Sequence, residues 1–270
     1  MKIRGYVALG IICLAFPFFD IFQRTVVALY VRIRPSRRLS MLTWWIQSMR
    51  AFCIGCFSSV GGARLSAPEP IVDSGPGTLI IMNHQSLIDI PLVVGTVRDG
   101  YPRVVTRRRY YRFIPLISHM VRLYQYPVVD PRAKAEQLRE TLVSLSQAAL
   151  DSDVPIAIFP EGTRSKDGEI GRFRTRGLAA LLAERDWTVH VFITDGFWQI
   201  AKFKHFFGGM AHIRGSSAYL GSVRWNTPGS DPLSFIDAIR DGMIEGLRSL
   251  RAGGDPTGIL RVPRAPTEPE

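Results

Sequence analysis

The sequence predicts an α/β fold, with a mostly parallel central sheet flanked by helices and an N-terminal membrane-binding helical segment. Three observations lead to this prediction. Short apolar runs bounded by turn residues alternate with longer runs of helical periodicity, as in successive βαβ units. The chain has 270 residues, 46% of them hydrophobic, which is enough for one large domain with its own core. The first 60 residues also contain an uncharged apolar stretch, residues 5–19.

Two apolar runs, residues 5–19 and 25–31, dominate the N-terminus, and Asp20, Gln23 and Arg24 lie between them. Neither run alone reaches the ~20 residues that a spanning helix needs. Basic residues flank the whole stretch, and because such residues prefer the cytoplasmic side, they fit a hairpin that enters and leaves on one face. Such a hairpin has its polar turn near residues 20–24.

One tilted transmembrane helix over residues 5–31 is an equally good interpretation of this segment. A cleaved signal peptide ranks third, because no small-residue cleavage site follows the apolar run. Trp44 and Trp45, within the aromatic-rich residues 41–60, suit the headgroup layer, although a buried amphipathic helix would look similar. The first 60 residues are therefore predicted to bind the membrane, on the cytoplasmic face of the bacterial inner membrane.

The chain divides at two changes in composition. Glycines and prolines cluster over residues 61–77, and Pro, Gly and charged residues dominate after Gly253. We therefore predict membrane-associated helices over residues 1–60, the α/β domain over 61–251 and a disordered tail over 252–270.

Within the α/β domain, buried apolar runs predict strands and helical spacing predicts helices. The predicted strands cover residues 78–82, 102–106, 126–130, 154–159 and 187–194, with one or two more over 210–225. The predicted helices cover residues 86–98, 108–124, 132–150, 174–186 and 231–251.

The chain is strongly basic, with a formal net charge of +11 and a pI of about 10.1. A balance of this size suggests an anionic partner: a nucleic acid, an anionic membrane surface or a phosphorylated substrate. Cys53 and Cys56 form a C-x-x-C, but no second cysteine pair or nearby histidine pair completes a metal site. We therefore interpret them as small buried or lipid-facing residues.

A histidine and an aspartate, His84 and Asp89, follow the first predicted strand in the stretch "NHQSLIDI". Five residues amount to about 500° of helical rotation, so the two side chains do not meet on a regular helix. They meet only if His84 lies in the loop before the helix and its ring folds back. Asp89 would then hold one ring nitrogen and leave the other free as a base. The simpler interpretation is a loop histidine and a helix-capping aspartate.

A second polar loop, "FPEGTRS" over residues 159–165, follows the strand predicted at 154–159. Glu161, Thr163 and Arg164 place a carboxylate, a hydroxyl and a guanidinium on one tight turn. Gly162 allows backbone amides to approach a ligand closely, and Arg164 suits a phosphate. A turn closed by a Glu161–Arg164 salt bridge is the simpler alternative.

Together these two stretches resemble the glycerolipid acyltransferase family, typified by 1-acylglycerol-3-phosphate (lysophosphatidate) acyltransferase, which carries N-H-x-x-x-x-D and, downstream, F-P-E-G-T-R-S. The resemblance covers about residues 41–220. Between its two motifs the family has a basic residue near a helix start and then a proline. The stretch "RRRYYRFIP", ending at Pro115, is similar to that element, with Arg108 or Arg109 as its basic residue.

The resemblance implies a single acyltransferase domain that moves a fatty acyl group from a thioester to the free hydroxyl of 1-acylglycerol-3-phosphate, giving phosphatidic acid. It implies that His84 is the general base, that Asp89 orients it, and that backbone amides near the helix start hold the oxyanion. The acyl donor would be acyl-coenzyme A or acyl-carrier protein. No cofactor, metal or nucleic acid is expected; the expected partners are membrane lipids, the lysophospholipid and the acyl donor.

The acceptor phosphate would be held by Arg164 together with Arg108 or Arg109, and Glu161 would position Arg164 or a glycerol hydroxyl. Gly162 and Thr163 complete the expected substrate-binding loop.

Two departures from the family pattern keep the acceptor open. The late strand reads "VHVFITDGFW", without the prolines usual in the family, and "FRTRG" at residues 173–177 is one residue longer than usual. Another lysophospholipid, a lyso-ornithine lipid or a glycolipid therefore remains an alternative acceptor. An alternative of another class is a membrane-bound module that binds anionic lipid or nucleic acid without chemistry.

Overall fold

The structure is a computed structural model, and it describes residues 2–130, 134–202, 205 and 209–261. Ten strands lie in the described residues. Their bounds are β1 Arg64–Leu65, β2 Val72–Asp73, β3 Thr78–Met82, β4 Val97–Arg98, β5 Arg103–Val104, β6 Thr106–Arg107, β7 Val128–Val129, β8 Ile156–Ile158, β9 Trp187–Asp195 and β10 Arg214–Trp225.

Eight α-helices lie in the same described ranges. Their bounds are α1 Lys2–Phe22, α2 Ala28–Ile33, α3 Arg38–Gly55, α4 Asp89–Gly95, α5 Ile117–Leu123, α6 Ala135–Asp151, α7 Thr175–Leu182 and α8 Leu233–Arg251.

The central sheet has six strands in the order β1-β10-β9-β3-β8-β5. Every neighbouring pair is parallel except β9 and β10. The predicted mostly parallel α/β fold is therefore confirmed. Two small parallel pairs, β2 with β4 and β6 with β7, lie beside it.

The central strand β3 is buried on both faces, as its continuous apolar run predicts. Leu79 and Ile81 pack with α6, α7 and α8, whereas Ile80 and Met82 pack with residues of α3 and α5 on the other face. The carboxyl ends of β3, β8 and β9 lie side by side, because Ile81 pairs with Ile158 and Met82 with Phe192. The loops after these strands consequently meet at one edge of the sheet.

The N-terminal apolar stretch forms one continuous helix, Ile3–Ile33, of 31 residues with a hydropathy of 2.0 in its most apolar window. A π-helical turn at Gln23–Val27 connects α1 and α2, so the polar turn predicted near residues 20–24 is wrong. Asp20 and Arg24 instead pair at 2.9 Å one helical turn apart, and this pairing offsets both charges within the helix. The chain reverses at the 3₁₀ turn Pro35–Arg37 and returns through α3.

The helix predicted over residues 108–124 is wrong as one element. A 3₁₀ turn, Arg108–Tyr111, is followed by an irregular loop before α5 begins at Ile117. Pro115 explains the break, because proline removes a backbone donor and disfavours helical geometry at the residue before it. The helix predicted over 86–98 is shorter, Asp89–Gly95.

The domain division at residues 60 and 251 stays a prediction. Residues 252–261, predicted as the start of the disordered tail, pack on the core: Gly258 donates its amide hydrogen to the carbonyl of Leu220, and Ile259 and Leu260 pack on the same buried cluster. The rest of that predicted tail, residues 262–270, lies outside the described residues.

Candidate active site

The side chains of His84 and Asp89 lie next to each other between the end of β3 and the start of α4. The Nδ1 atom of His84 lies 2.9 Å from Oδ2 of Asp89. His84 occupies the loop after β3 and Asp89 is the first residue of α4, so the ring folds back onto the helix start. A carboxylate only accepts hydrogen bonds, so Nδ1 carries the proton of this bond, and in the neutral ring Nε2 is the nitrogen with the lone pair. The His84 side chain is 17% exposed, whereas Asp89 is fully buried.

The same carboxylate oxygen of Asp89 fixes the loop. It accepts hydrogen bonds from the backbone amides of Gln85, at 2.5 Å, and Ser86, at 2.7 Å. These amides belong to the helix start that we expected to hold an oxyanion. Because Asp89 occupies both of them, that expectation is wrong for Gln85 and Ser86.

Asn83 connects the histidine loop to the neighbouring strand β9. Its side-chain amide donates to the carbonyl of Thr194 at 2.9 Å and accepts the Thr194 backbone amide at 2.7 Å. The Thr194 hydroxyl also lies 3.4 Å from Oδ1 of Asp89. Thr194 was missed from the sequence, because only the pairing of β3 with β9 brings it here.

The second motif is joined directly to the first. The backbone amide of Ser165 donates to the carbonyl of His84 at 2.7 Å, and the backbone amide of His84 donates to Glu161 at 3.0 Å. The rings of His84 and Phe159 stack with their centroids 4.4 Å apart. The two sequence motifs therefore form one site.

Glu161 is a buried carboxyl group that organises this loop. Its second oxygen accepts the amide of Gly171 at 3.3 Å, and the residue is 5% exposed. Within the described residues it makes no ion pair with Arg164, so the salt-bridged-turn alternative is wrong. Burial raises the pKa of Glu161 to about 7, against the opposing effect of its two backbone donors.

This raised pKa predicts a pH-dependent stability. The ordinary value is 4.5, so between pH 4.5 and about 7 the unfolded chain ionises Glu161 while the folded chain keeps it protonated. The free energy of unfolding should therefore fall across this window, by roughly 3 kcal/mol from this group. Glu161→Gln removes the contribution. Chemical unfolding of the wild-type protein and of Glu161→Gln in detergent, at pH 5 and at pH 8, measures this contribution. If the difference in unfolding free energy between the two proteins were the same at both pH values, the prediction would be contradicted.

A cavity of about 830 Å³ opens at this edge of the sheet, and His84, Glu161, Gly162, Thr163 and Arg164 all line it. Among the residues that the structure describes, six arginines but only two acidic residues line this cavity. The Nη1 atom of Arg164 is buried and has no hydrogen-bond partner in the described part of the chain. An unpartnered buried guanidinium nitrogen at a cavity indicates a site for an anionic oxygen.

The basic element before Pro115 contributes Arg109 to the cavity, together with Arg107, which was not among the predicted site residues. Arg108 is exposed, and it is absent from the described residues that line the cavity. A 3₁₀ turn explains this difference, because it points successive side chains about 120° apart. Burial, and then the positive charges of Arg109, Arg174 and Arg164, lower the pKa of Arg107. These guanidinium groups thus lie close enough together to produce one region of positive electrostatic potential.

Three further arginines, Arg172, Arg174 and Arg176, line the same cavity. Arg174 and Arg176 belong to the "FRTRG" stretch and Arg172 precedes it; none of the three was among the predicted site residues. Gly162 has a φ of +63°, and a Cβ there would lie 2.6 Å from the Arg174 side chain. Glycine is therefore needed both for the turn and for the close approach of Arg174.

A third loop, after β9, supports the histidine loop from behind. The side-chain amide of Gln85 donates to the carbonyl of Gly168 at 3.1 Å and to Asp195 at 3.3 Å, and it accepts the amide of Phe197 at 3.0 Å. Arg251, at the end of α8, donates to both Asp195 oxygens at 3.0 and 3.1 Å. The last helix, α8, thereby holds the loop after β9 in place against the histidine loop.

In the ranges that the structure describes, no three side chains of His, Cys, Asp or Glu lie together as possible metal ligands. That the protein needs no metal or cofactor stays a prediction.

A histidine–aspartate pair beside an arginine-lined cavity, on an α/β sheet, is what the family resemblance implies. Residues 64–193 match the family model described as Acyltransferase. The resemblance to the acyltransferase family is therefore confirmed over these residues.

The named relatives are 1-acyl-sn-glycerol-3-phosphate acyltransferases. One from Helicobacter pylori is 33% identical over 127 residues, covering 46% of this chain and 49% of the relative. One from Cocos nucifera is 29% identical over 101 residues, covering 37% and 32%. The chain thus spans half or less of the length of these relatives.

A solved structure shares the fold over nearly the whole chain. It is the 1-acyl-sn-glycerophosphate (LPA) acyltransferase PlsC from Thermotoga maritima, with a TM-score of 0.59 and 21% identity. The match covers 90% of this chain and 98% of that one.

Proposed function

We propose that this protein is a membrane-associated O-acyltransferase that moves a fatty acyl group from a thioester to the free hydroxyl of 1-acylglycerol-3-phosphate, giving phosphatidic acid. The observation that carries the proposal is the shared cavity: His84, which is hydrogen-bonded to Asp89, and Arg164, whose buried Nη1 atom has no partner among the described residues, line the same space. The names of the relatives point to the same acceptor.

In the proposed reaction, Nε2 of His84 removes the proton of the acceptor hydroxyl while Asp89 stabilises the imidazolium that forms. The hydroxyl oxygen attacks the thioester carbonyl. The tetrahedral intermediate then collapses, the carbon–sulfur bond breaks, and the imidazolium returns the proton to the leaving thiolate. The positive field of the arginines lowers the energy of the negatively charged intermediate.

The acceptor phosphate is proposed to bind among Arg164, Arg107 and Arg109. Guanidinium groups suit phosphate because they offer paired donors in a fixed plane. Burial and its cationic neighbours lower the pKa of Arg107. An anionic ligand would offset this repulsion among the arginines.

The apolar side of the cavity is proposed to hold an acyl chain. Val105, Val129, Leu138, Leu142 and Ile158 line it. A volume of about 830 Å³ lies within the range of small-molecule sites, and aliphatic lining favours the burial of a hydrocarbon chain.

The N-terminal helix is proposed to lie in the membrane surface on the cytoplasmic side. Among the described residues one helix, Ile3–Ile33, is long and apolar enough to cross a bilayer. However, one face packs on the rest of the protein along its length: Arg4 donates to the carbonyls of Ser59 and Val60, and the buried Gln23 is hydrogen-bonded to Trp45. The opposite face exposes an apolar stripe that includes Val7, Leu14, Phe18, Ile21 and Leu29.

A panel of lysolipid acceptors with and without a phosphate group tests the proposal, including lyso-ornithine lipid and a glycolipid. The wild-type protein should prefer 1-acylglycerol-3-phosphate. Arg164→Ala should lower the rate toward phosphate-bearing acceptors about 10- to 100-fold, because it removes charged hydrogen bonds to that group.

Lys166→Ala is the matched control for this test, because Lys166 is an exposed cation on the same loop and should leave the preference unchanged. An equal loss of activity by Arg164→Ala toward every acceptor would contradict the phosphate assignment. A wild-type preference for an acceptor without a phosphate group would replace the proposed substrate by one of the alternatives.

A further inference from the structure

A second cavity, of about 390 Å³, lies outside the proposed acyl-transfer site. One side of it is formed by Asp20 and Arg24 on the N-terminal helix. The other side is formed by residues 112–115, Ser118 and Arg122, from the irregular loop before α5 and from α5 itself. None of these residues lines the first cavity.

The second cavity is cationic. In the described part of the chain, Arg24, Arg112 and Arg122 contribute three positive charges to its lining, against one carboxylate, that of Asp20. Arg24 uses Nε to hold Asp20, and Arg122 donates through Nη1 to the carbonyl of Tyr111 at 2.8 Å. These bonds fix two of the guanidinium groups in place and leave further N–H groups on each. The cavity therefore favours an anionic ligand with several acceptor oxygens.

The irregular loop before α5 exposes a phenylalanine beside this cavity. Phe113 is 96% exposed, and its φ of +67° places it in the left-handed region, which disfavours bulky residues. Leu116 has a φ of +64° but is almost fully buried, and the hydroxyl of Ser118 accepts the amide of Ile114 at 2.9 Å. A fixed, strained backbone thus presents a large apolar side chain to the exterior.

A larger apolar surface lies on the N-terminal helix, which also contributes Asp20 and Arg24 to the cavity. Ile21, 60% exposed, lies three residues before Arg24 and so beside it on the helix surface, and Phe18, 72% exposed, lies three residues before Ile21; both belong to the apolar stripe of the N-terminal helix. A cationic cavity at the border of an exposed apolar surface matches the two chemistries of a phospholipid, which are a phosphate and adjoining hydrocarbon.

We propose that this second cavity binds the phosphate of an anionic membrane phospholipid, with Phe113 inserted among the acyl chains. The lipid is a ligand rather than the acyl acceptor. The site depends on the association of the protein with a membrane and not on acyl transfer, so the two proposals fail separately.

Binding of the full chain to phosphatidylcholine vesicles, with and without added phosphatidylglycerol, tests this site. Arg112→Glu should weaken binding to the anionic vesicles about tenfold or more and should leave binding to the neutral vesicles unchanged, because it reverses one charge at the headgroup level. Phe113→Ala should weaken binding to both kinds of vesicle. Both positions are exposed, and circular dichroism checks the fold of each variant.

Arg224→Glu is the matched control, because Arg224 is exposed near the end of β10 and makes the same change in net charge. Equal weakening by Arg224→Glu and Arg112→Glu would show that bulk charge alone drives binding and would overturn the site. Wild-type affinity of Arg112→Glu for anionic vesicles would overturn it as well.

Inorganic phosphate distinguishes a lipid headgroup from a free anion. Inorganic phosphate should not release the wild-type protein from vesicles when its concentration equals that of the lipid phosphate groups. Release by inorganic phosphate, lost in Arg112→Glu, would instead make the cavity a site for soluble phosphate. His84→Ala should bind both vesicle types as the wild type does.

Discussion

Replacing His84 with alanine should lower the rate of acyl transfer roughly 10³- to 10⁴-fold, because the acceptor hydroxyl loses its general base. The protein should stay folded. The ring contacts Phe159 and one Asp89 oxygen, and that oxygen keeps two backbone donors after the substitution. The measurement is acyl transfer by purified protein in detergent, with thermal unfolding and vesicle binding of the same preparation as controls.

The same variant separates an enzyme from a non-catalytic lipid-binding module. An enzyme loses transfer and keeps membrane binding. A module shows no transfer even in the wild-type protein. A His84→Ala variant that retained transfer within tenfold of the wild type would show that the base lies elsewhere.

Replacing Asp89 with asparagine should lower kcat by about 10³- to 10⁴-fold, because an amide no longer stabilises the imidazolium or fixes Nδ1 as the protonated nitrogen. Here a loss of stability is expected too. Oδ2 of Asp89 accepts from His84 and from the buried amides of Gln85 and Ser86, and weakening these bonds should cost about 1–3 kcal/mol of unfolding free energy.

Asp167→Asn makes the same chemical change at an exposed carboxylate that is hydrogen-bonded to Ser165, and it serves as the control. It should leave kcat near the wild-type value. If Asp89→Asn also retained its kcat while unfolding more readily, Asp89 would be a structural residue and not the partner of a base.

The buried strands were predictable because their signal is local. The run Thr78–Met82 was predicted with its observed bounds, since it is continuously apolar and turn residues precede it. Helix bounds were less predictable. The segment around Pro115 carries helical periodicity, yet the chain there forms a loop with left-handed residues at Phe113 and Leu116. Periodicity records which residues are apolar but not where the backbone leaves the helix.

The meeting of His84 with Asp89 was also accessible from the sequence, because the family resemblance implies the pair and their spacing allows it only where the loop folds back onto the helix start. The arginines were not all accessible. Arg107 and Arg174 reach the cavity through the β6–β7 pair and through packing against Gly162, and these are contacts between distant parts of the chain. Which backbone amides remain free to bind an oxyanion likewise depends on where Oδ2 of Asp89 lies in the folded chain. The catalytic and binding roles of all these residues stay predictions until they are tested.

The N-terminal segment shows why charge and hydropathy left two interpretations open. A polar turn and a continuous helix have the same sequence pattern around residues 20–24. Tertiary contacts decide between them: Gln23 is buried against Trp45 and His119, and Asp20 pairs with Arg24 within the helix.

The most direct measurement follows two products in one reaction of purified protein with an acyl thioester and 1-acylglycerol-3-phosphate. Free thiol and phosphatidic acid should form at equal rates with the wild-type protein, and both should disappear together with His84→Ala. Thiol release without phosphatidic acid, or undiminished transfer by His84→Ala, would contradict direct general-base transfer at the arginine-lined cavity.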